Sequence, residues 1–171
     1  MSGLLPAQIN PIRLADEGAR LEGELPGSQF RRLQEQSRLT TRAAPVQVEL
    51  EFSRTSHGMR IMHGVIRTTV EVTCQRCLQA FALAVTAEPY FVLLMPDEEP
   101  PQGPEEAETL VVEGPVSLRE LVEDELLLAM PMIPMHGEGQ CTAPGVSAET
   151  PEAGVSSKPN PFAVLRGFKD K

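Results

Sequence analysis

Three cysteines and one histidine form a single pattern in this chain, C-x2-C…H-x4-C: Cys74 and Cys77, then His136 and Cys141. The chain has no other cysteine, so no thiol is left over. Thiolates and imidazoles are the donors zinc takes in tetrahedral geometry, and short-spaced pairs supply them. Two such pairs far apart in sequence can tie distant stretches together, which constrains the fold before any other feature is read. With all four positions filled by protein, no position stays open for a water nucleophile, so a zinc ion here is structural. Three thiolates around a divalent ion leave one net negative charge, and Arg76, lodged between two ligands, offsets it. Ordinary reduced cysteines beside a surface histidine are the plainer alternative. A redox dithiol is the third, but a thioredoxin-like C-x-x-C opens a helix in a βαβ unit. Here the pair lies between two β-rich stretches.

The 171 residues suffice for one domain with a real core plus appendages. Tryptophan is absent and Tyr90 is the one tyrosine, so the core is expected to be aliphatic with some Phe. The net charge of −9 is unevenly spread: the first 88 residues carry ten Lys/Arg and nine Asp/Glu, the remainder five and fifteen. Nucleic-acid coats work by neutralising phosphates, so an acidic chain makes a poor general DNA or RNA binder. Eight arginines between positions 31 and 76 could form a local basic face, although scattered arginines usually serve solubility. The longest apolar runs, Phe91–Met95 and Leu126–Met130, are too short to span a membrane. The opening residues lack the pattern of a secretory signal, and cysteines without a disulfide framework suit a reducing cytosol. A cytoplasmic location is expected.

The pattern predicts an α+β fold. Residues 12–22 and 28–38 read as short helices. Val46–Phe52 alternates apolar and polar residues, which marks a half-buried strand. Residues 56–58 read as a turn, and 59–66, 69–73, 81–85 and 90–95 as further strands. Together they suggest an antiparallel meander of about five strands, with the first cysteine pair at a strand-to-strand turn. Residues 96–108 form an acidic, proline-rich loop expected to be disordered, and 110–112 could add a short strand. The main helix is expected over 118–130. Ser117 and Glu120 make a capping box, Leu118, Leu121, Val122, Leu126 and Ala129 an apolar stripe, and Pro131 a stop. Glu120, Glu123, Asp124 and Glu125 read as its solvated outer face rather than as an acid–base pair.

The domain is therefore expected over 1–141, followed by a disordered linker, 142–158, and a helical tail, 159–171. In the tail Asn160 serves as N-cap and Pro161 as first helical residue, while Phe162, Leu165 and Phe168 line one side. A helix that short is marginal alone, so it should dock on the domain or on a partner. His57 and His63 have no nearby catalytic partner. No phosphate loop, nucleotide fingerprint, nucleophile elbow or HExxH motif occurs.

Three segments together resemble the bacterial large ribosomal RNA subunit accumulation protein family (YceD-like). They are Val70-Glu71-Val72-Thr73-Cys74-Gln75-Arg76-Cys77; Leu121 to Pro131 continuing through Pro134 and His136 to Cys141; and Lys158-Pro159-Asn160-Pro161-Phe162-Ala163-Val164-Leu165. The resemblance implies support of the synthesis, processing or stability of 23S ribosomal RNA, with no established catalytic residue. The expected reading is a non-enzymatic ribosome-biogenesis factor whose tail binds a ribosomal precursor or an assembly protein, with direct RNA contact left open and neither membrane nor DNA as partner. A metal-dependent RNA-processing enzyme and a thiol-based redox or zinc sensor are the alternatives.

Overall fold

The computed structural model describes residues 5–36, 44–99, 108–137 and 139–141, all within one unit, Met1–Cys141. In chain order the elements are β1 (Gln8–Ile9), α1 (Pro11–Glu17), β2 (Arg20–Leu25), a 3-10 turn (Gly27–Gln29), α2 (Arg31–Gln36), β3 (Val46–Arg54), β4 (Arg60–Thr73), β5 (Ala80–Ala87), β6 (Tyr90–Leu94), β7 (Glu108–Val111), β8 (Val116–Ser117) and α3 (Leu118–Ala129). The fold is α+β. Six strands form the main sheet and β1 pairs separately with β8. Among the described residues, no helix is long and apolar enough to cross a membrane.

The alternation in β3 places Val46, Val48, Leu50 and Phe52 in the core. Opposite them β4 buries Met62 and Ile66, and beyond the reach of β3 Val70 and Val72 continue the same buried face. The stretches 59–66 and 69–73, read as two strands, are one: Thr68 faces inward and its hydroxyl donates to the Pro45 carbonyl at 3.4 Å, so the alternation runs through it. The far edge of β4 carries β5 and then β6. Thr73 pairs with Ala80, Ile66 with Ala87, His63 with Tyr90 and Arg60 with Leu93, a single unbroken register. The two are thus one strand interrupted at Pro89, which cannot donate a ladder bond but accepts one from Gly64 N–H at 3.2 Å.

Three elements depart from the sequence reading. The first helix ends at Glu17, because Gly18 adopts the left-handed conformation (φ 63°) and closes the helix C-terminus. The residues after it, read as helix to 22, form β2 and pair along β3. The second helix is a 3-10 turn followed by α2, with positions 37 and 38 outside the described residues. Strand β7 joins β6 in parallel, so the sheet is not antiparallel throughout. Of the acidic loop, 96–99 and Glu108 are described and 100–107 lie outside.

Helix α3 begins as its capping box requires, with Glu120 N–H donating to Ser117 Oγ at 3.3 Å. It packs its buried residues Leu118, Leu121, Val122 and Leu126 on β4 and β5. Ala129, counted in the stripe, is exposed, and in the last turn Leu127 and Met130 pack against the core instead. Glu123 is buried rather than solvated, at 1% exposure. Its carboxylate accepts from Arg32 N–H (2.7 Å), Leu33 N–H (3.2 Å) and the Arg32 guanidinium (3.2 Å), and Arg119 lies 3.5 Å away. Glu123 thus caps the start of α2 from another element.

Gly64 pairs with Leu50 where β4 changes partner from β6 to β5. A Cβ there would collide with the backbone carbonyl of Glu49 and press on Leu50 Cα. Backbone cannot yield as a side-chain tip can. Gly64→Ala should therefore lower the unfolding free energy by about 2 kcal/mol. Urea titration should show an earlier midpoint with an unchanged slope.

Candidate metal centre

The tip of the β4–β5 hairpin carries the first cysteine pair. Cys74 N–H donates to Gln79 O and Leu78 N–H to Cys74 O, both at 2.9 Å, which closes a tight turn over 74–79. Leu78 takes the left-handed conformation in this turn, at φ 61°. Glycine is the usual occupant of such a position, and Leu78 meets the demand with its side chain 75% exposed. The turn aims Cys74 and Cys77, both buried, at the same side.

The second pair arrives on the strap that follows α3. Met130 is extended (φ −70°, ψ 134°) where Pro131 ends the helix. The strap crosses the hairpin tip, where Gln75 N–H donates to Pro134 O at 2.9 Å. That bond sets His136 and Cys141 over the cysteine turn. His136 Nδ1 lies 3.4 Å from Cys77 Sγ, and Cys74 Sγ lies 3.8 Å from Cys141 Sγ. All four ligand atoms fall within 4.8 Å of one another. The Phe81 ring lies against the His136 imidazole, with centroids 4.5 Å apart and planes tilted by 33°.

These separations suit coordination rather than a disulfide. A sulfur pair bonded as a disulfide lies about 2 Å apart. Two thiolates on one tetrahedral zinc, each about 2.3 Å from the ion, lie about 3.8 Å apart, and a thiolate and an imidazole nitrogen about 3.6 Å apart. The Cys74–Cys141 and Cys77–His136 separations match those values, and the four ligand atoms could hold a metal ion.

The electrostatics follow from the crowding of thiols. Burial opposes ionisation of Cys74, but the backbone N–H groups of Cys77, His136 and Arg76 and the His136 ring draw its thiol down to about 5. Gln79 N–H favours the Cys77 thiolate. Burial and the neighbouring Cys141 and Cys74 thiols outweigh it, so Cys77 is pushed up. Arg76 is held more firmly in its charged form, first by its hydrogen bond to Cys141 and then by the attraction of the surrounding thiolates.

The structure thus brings together all four sequence-nominated ligands. Asn160, Pro161, Phe162, Leu165 and Phe168 lie outside the described residues, as does the 142–158 linker. The Phe81 contact was not anticipated; its only sequence signal is an aromatic four residues after the second cysteine. Beside the cluster runs a groove of about 510 Å³ lined by Val72, Thr73, Gln75, Leu127, Met130, Pro131, Met132 and Pro134. Among the described residues this lining carries no carboxylate, histidine or cysteine. Along the strap Met132, Ile133 and Met135 are exposed.

A family model described as large ribosomal RNA subunit accumulation protein YceD matches residues 62–169, a span that includes all four candidate ligands. A curated protein from Haemophilus influenzae, named large ribosomal RNA subunit accumulation protein YceD, is 31% identical over 174 residues, covering 98% of this chain and 97% of its own. No solved structure matches. The cysteine clasp, the α3 helix and the strap thus fall inside a recognised sequence family, and the chain belongs to the large ribosomal RNA subunit accumulation proteins, YceD.

Proposed function

We propose that this chain is a non-enzymatic, cytoplasmic factor of ribosome biogenesis. It supports the synthesis, processing or stability of 23S ribosomal RNA by binding a ribosomal precursor or an assembly protein. A zinc ion held by Cys74, Cys77, His136 and Cys141 fastens the strap to the hairpin tip. The observation that carries the reading is the convergence of four protein ligands within 4.8 Å. Four such donors complete a tetrahedron and leave no coordination site for a substrate or an attacking water. The zinc therefore works as a fastener, and the function rests on surfaces. The exposed apolar side chains of the strap fit that role, as does the acidic net charge, which favours a protein partner over bare RNA. The family name supplies the large-subunit RNA context.

The test is capture of ribosome precursors from cells whose own copy has been depleted. The full chain should restore 23S RNA accumulation and co-purify with precursors. Deleting 159–171 should leave the far-UV spectrum and melting temperature unchanged while abolishing both. Undiminished capture by the truncated chain would remove the tail from the mechanism. Specific cleavage of precursor RNA by the purified protein with a divalent metal would overturn the non-enzymatic reading.

A further inference from the structure

Among the described residues the main sheet has three open margins, and two are guarded. Strand β2 turns Arg20, Glu22 and Glu24 outward. Strand β7 is four residues long and begins with Glu108. Charge and short length are the usual means of keeping an edge from pairing with another chain. Strand β5 has neither. Its eight residues, AFALAVTA, carry no charge and no proline. It pairs with β4 on one side, and among the described residues no strand pairs with the other.

The ladder bonds between β4 and β5 fix the phase of that open edge. Cys74 N–H bonds to Gln79 O and Gly64 N–H to Pro89 O, and both bonds belong to the one register that runs along β4. The odd-numbered residues of β5 therefore spend their backbone groups on β4. The even-numbered ones, Ala80, Ala82, Ala84 and Thr86, point their N–H and C=O groups away from it. Their side chains are exposed and small.

We propose that this edge pairs with the β5 edge of a second copy, antiparallel about a two-fold axis at Leu83. In that register Ala82 of each copy faces Ala84 of the other, and Ala80 faces Thr86. These four pairs exchange about eight main-chain hydrogen bonds. Two features favour a second copy over a foreign strand. The segment is self-complementary in size and charge, because small residues meet small residues and no charge selects a charged peptide. The inward row is self-complementary as well. Leu83 meets Leu83 and Phe81 meets Val85, so the half-buried Phe81 and Leu83 side chains gain the cover they lack in a single chain. The pairing is isologous and closes at two copies.

The test uses the full chain in sedimentation equilibrium over a concentration series, with hydrogen exchange on the same samples. The wild type should dimerise, more tightly as salt rises, since each copy carries a net charge of −9. The amides of Ala82 and Ala84 should become protected only in the dimer. Ala82→Lys/Ala84→Lys and Ala82→Glu/Ala84→Glu alter exposed side chains and should keep the wild-type far-UV spectrum. Each should weaken self-association about tenfold or more, and mixing the two should restore pairing between unlike copies. A wild type that stays monomeric throughout would overturn the proposal. So would protection of those amides in a monomer, which would mean that the chain's own residues cover the edge. Failure of the mixed variants to pair would overturn it too. None of these results bears on zinc binding or on precursor capture.

Discussion

Replacing Glu123 by alanine should cost this protein about 3 kcal/mol of stability, a large part of the 5–15 kcal/mol typical of a folded domain. The carboxylate is 1% exposed and accepts from two backbone N–H groups at the start of α2 and from the Arg32 guanidinium. Charge-assisted bonds of this kind contribute more than neutral ones, and a buried donor stripped of its acceptor bears the desolvation cost. The guanidinium itself is half exposed and also pairs with Asp124 at 2.7 Å, so it returns to water at little cost. The loss therefore falls on the backbone bonds that join α2 to α3. Glu123→Gln keeps one acceptor in place and should lose about half as much. Asp124→Ala, at an exposed pair, should change stability by less than about 1 kcal/mol. Urea titration of the three variants tests the ranking. Equal effects at Glu123 and Asp124 would mean that burial does not distinguish them.

Glu123 also marks a limit of what sequence pattern can reveal. Its helix was legible, because the capping box, the stripe and Pro131 are local signals that the tertiary fold did not override. Nothing local says that one acid in Glu120-Leu121-Val122-Glu123-Asp124-Glu125 faces inward. That depends on α2, some ninety positions away in the chain, presenting its free N–H groups at that spot. The same reasoning covers β2. Residues 20–25 have weak alternation and a central glycine, and only the pairing with β3 makes them a strand. The parallel placement of β7 is likewise set by where the chain returns after the acidic loop. The ligand set was legible for the opposite reason. Thiol and imidazole are scarce in this chain, and with three cysteines and three histidines little else could form such a group. The hairpin tip that carries the first pair followed from the alternation on both sides of it.

If zinc fills the cluster as proposed, removing it should lower the unfolding free energy by about 4 kcal/mol, treating the metal as a cross-link that closes the chain between Cys77 and His136. For a chain of this size that corresponds to a fall of roughly 10 °C in melting temperature. The sheet should survive. Its core of Phe52, Met62, Ile66, Leu118 and Leu126 owes nothing to the ligands. The strap should not, because without the metal it is held to the hairpin tip by a few local contacts, among them the Gln75–Pro134 backbone bond and the Phe81–His136 contact. Chelation should therefore speed exchange of the Gln75 amide while the amides of β3 stay protected. Cys74→Ser removes a buried ligand from the hairpin and should reproduce the effect of chelation. Cys141→Ser removes a less buried ligand, from the far end of the strap, and should cost less. Elemental analysis of protein purified without added metal should give one zinc per chain. A metal-free protein whose melting temperature ignores chelator would dissolve the clasp, and the four side chains would then be a cluster of reduced thiols beside a histidine packed against Phe81.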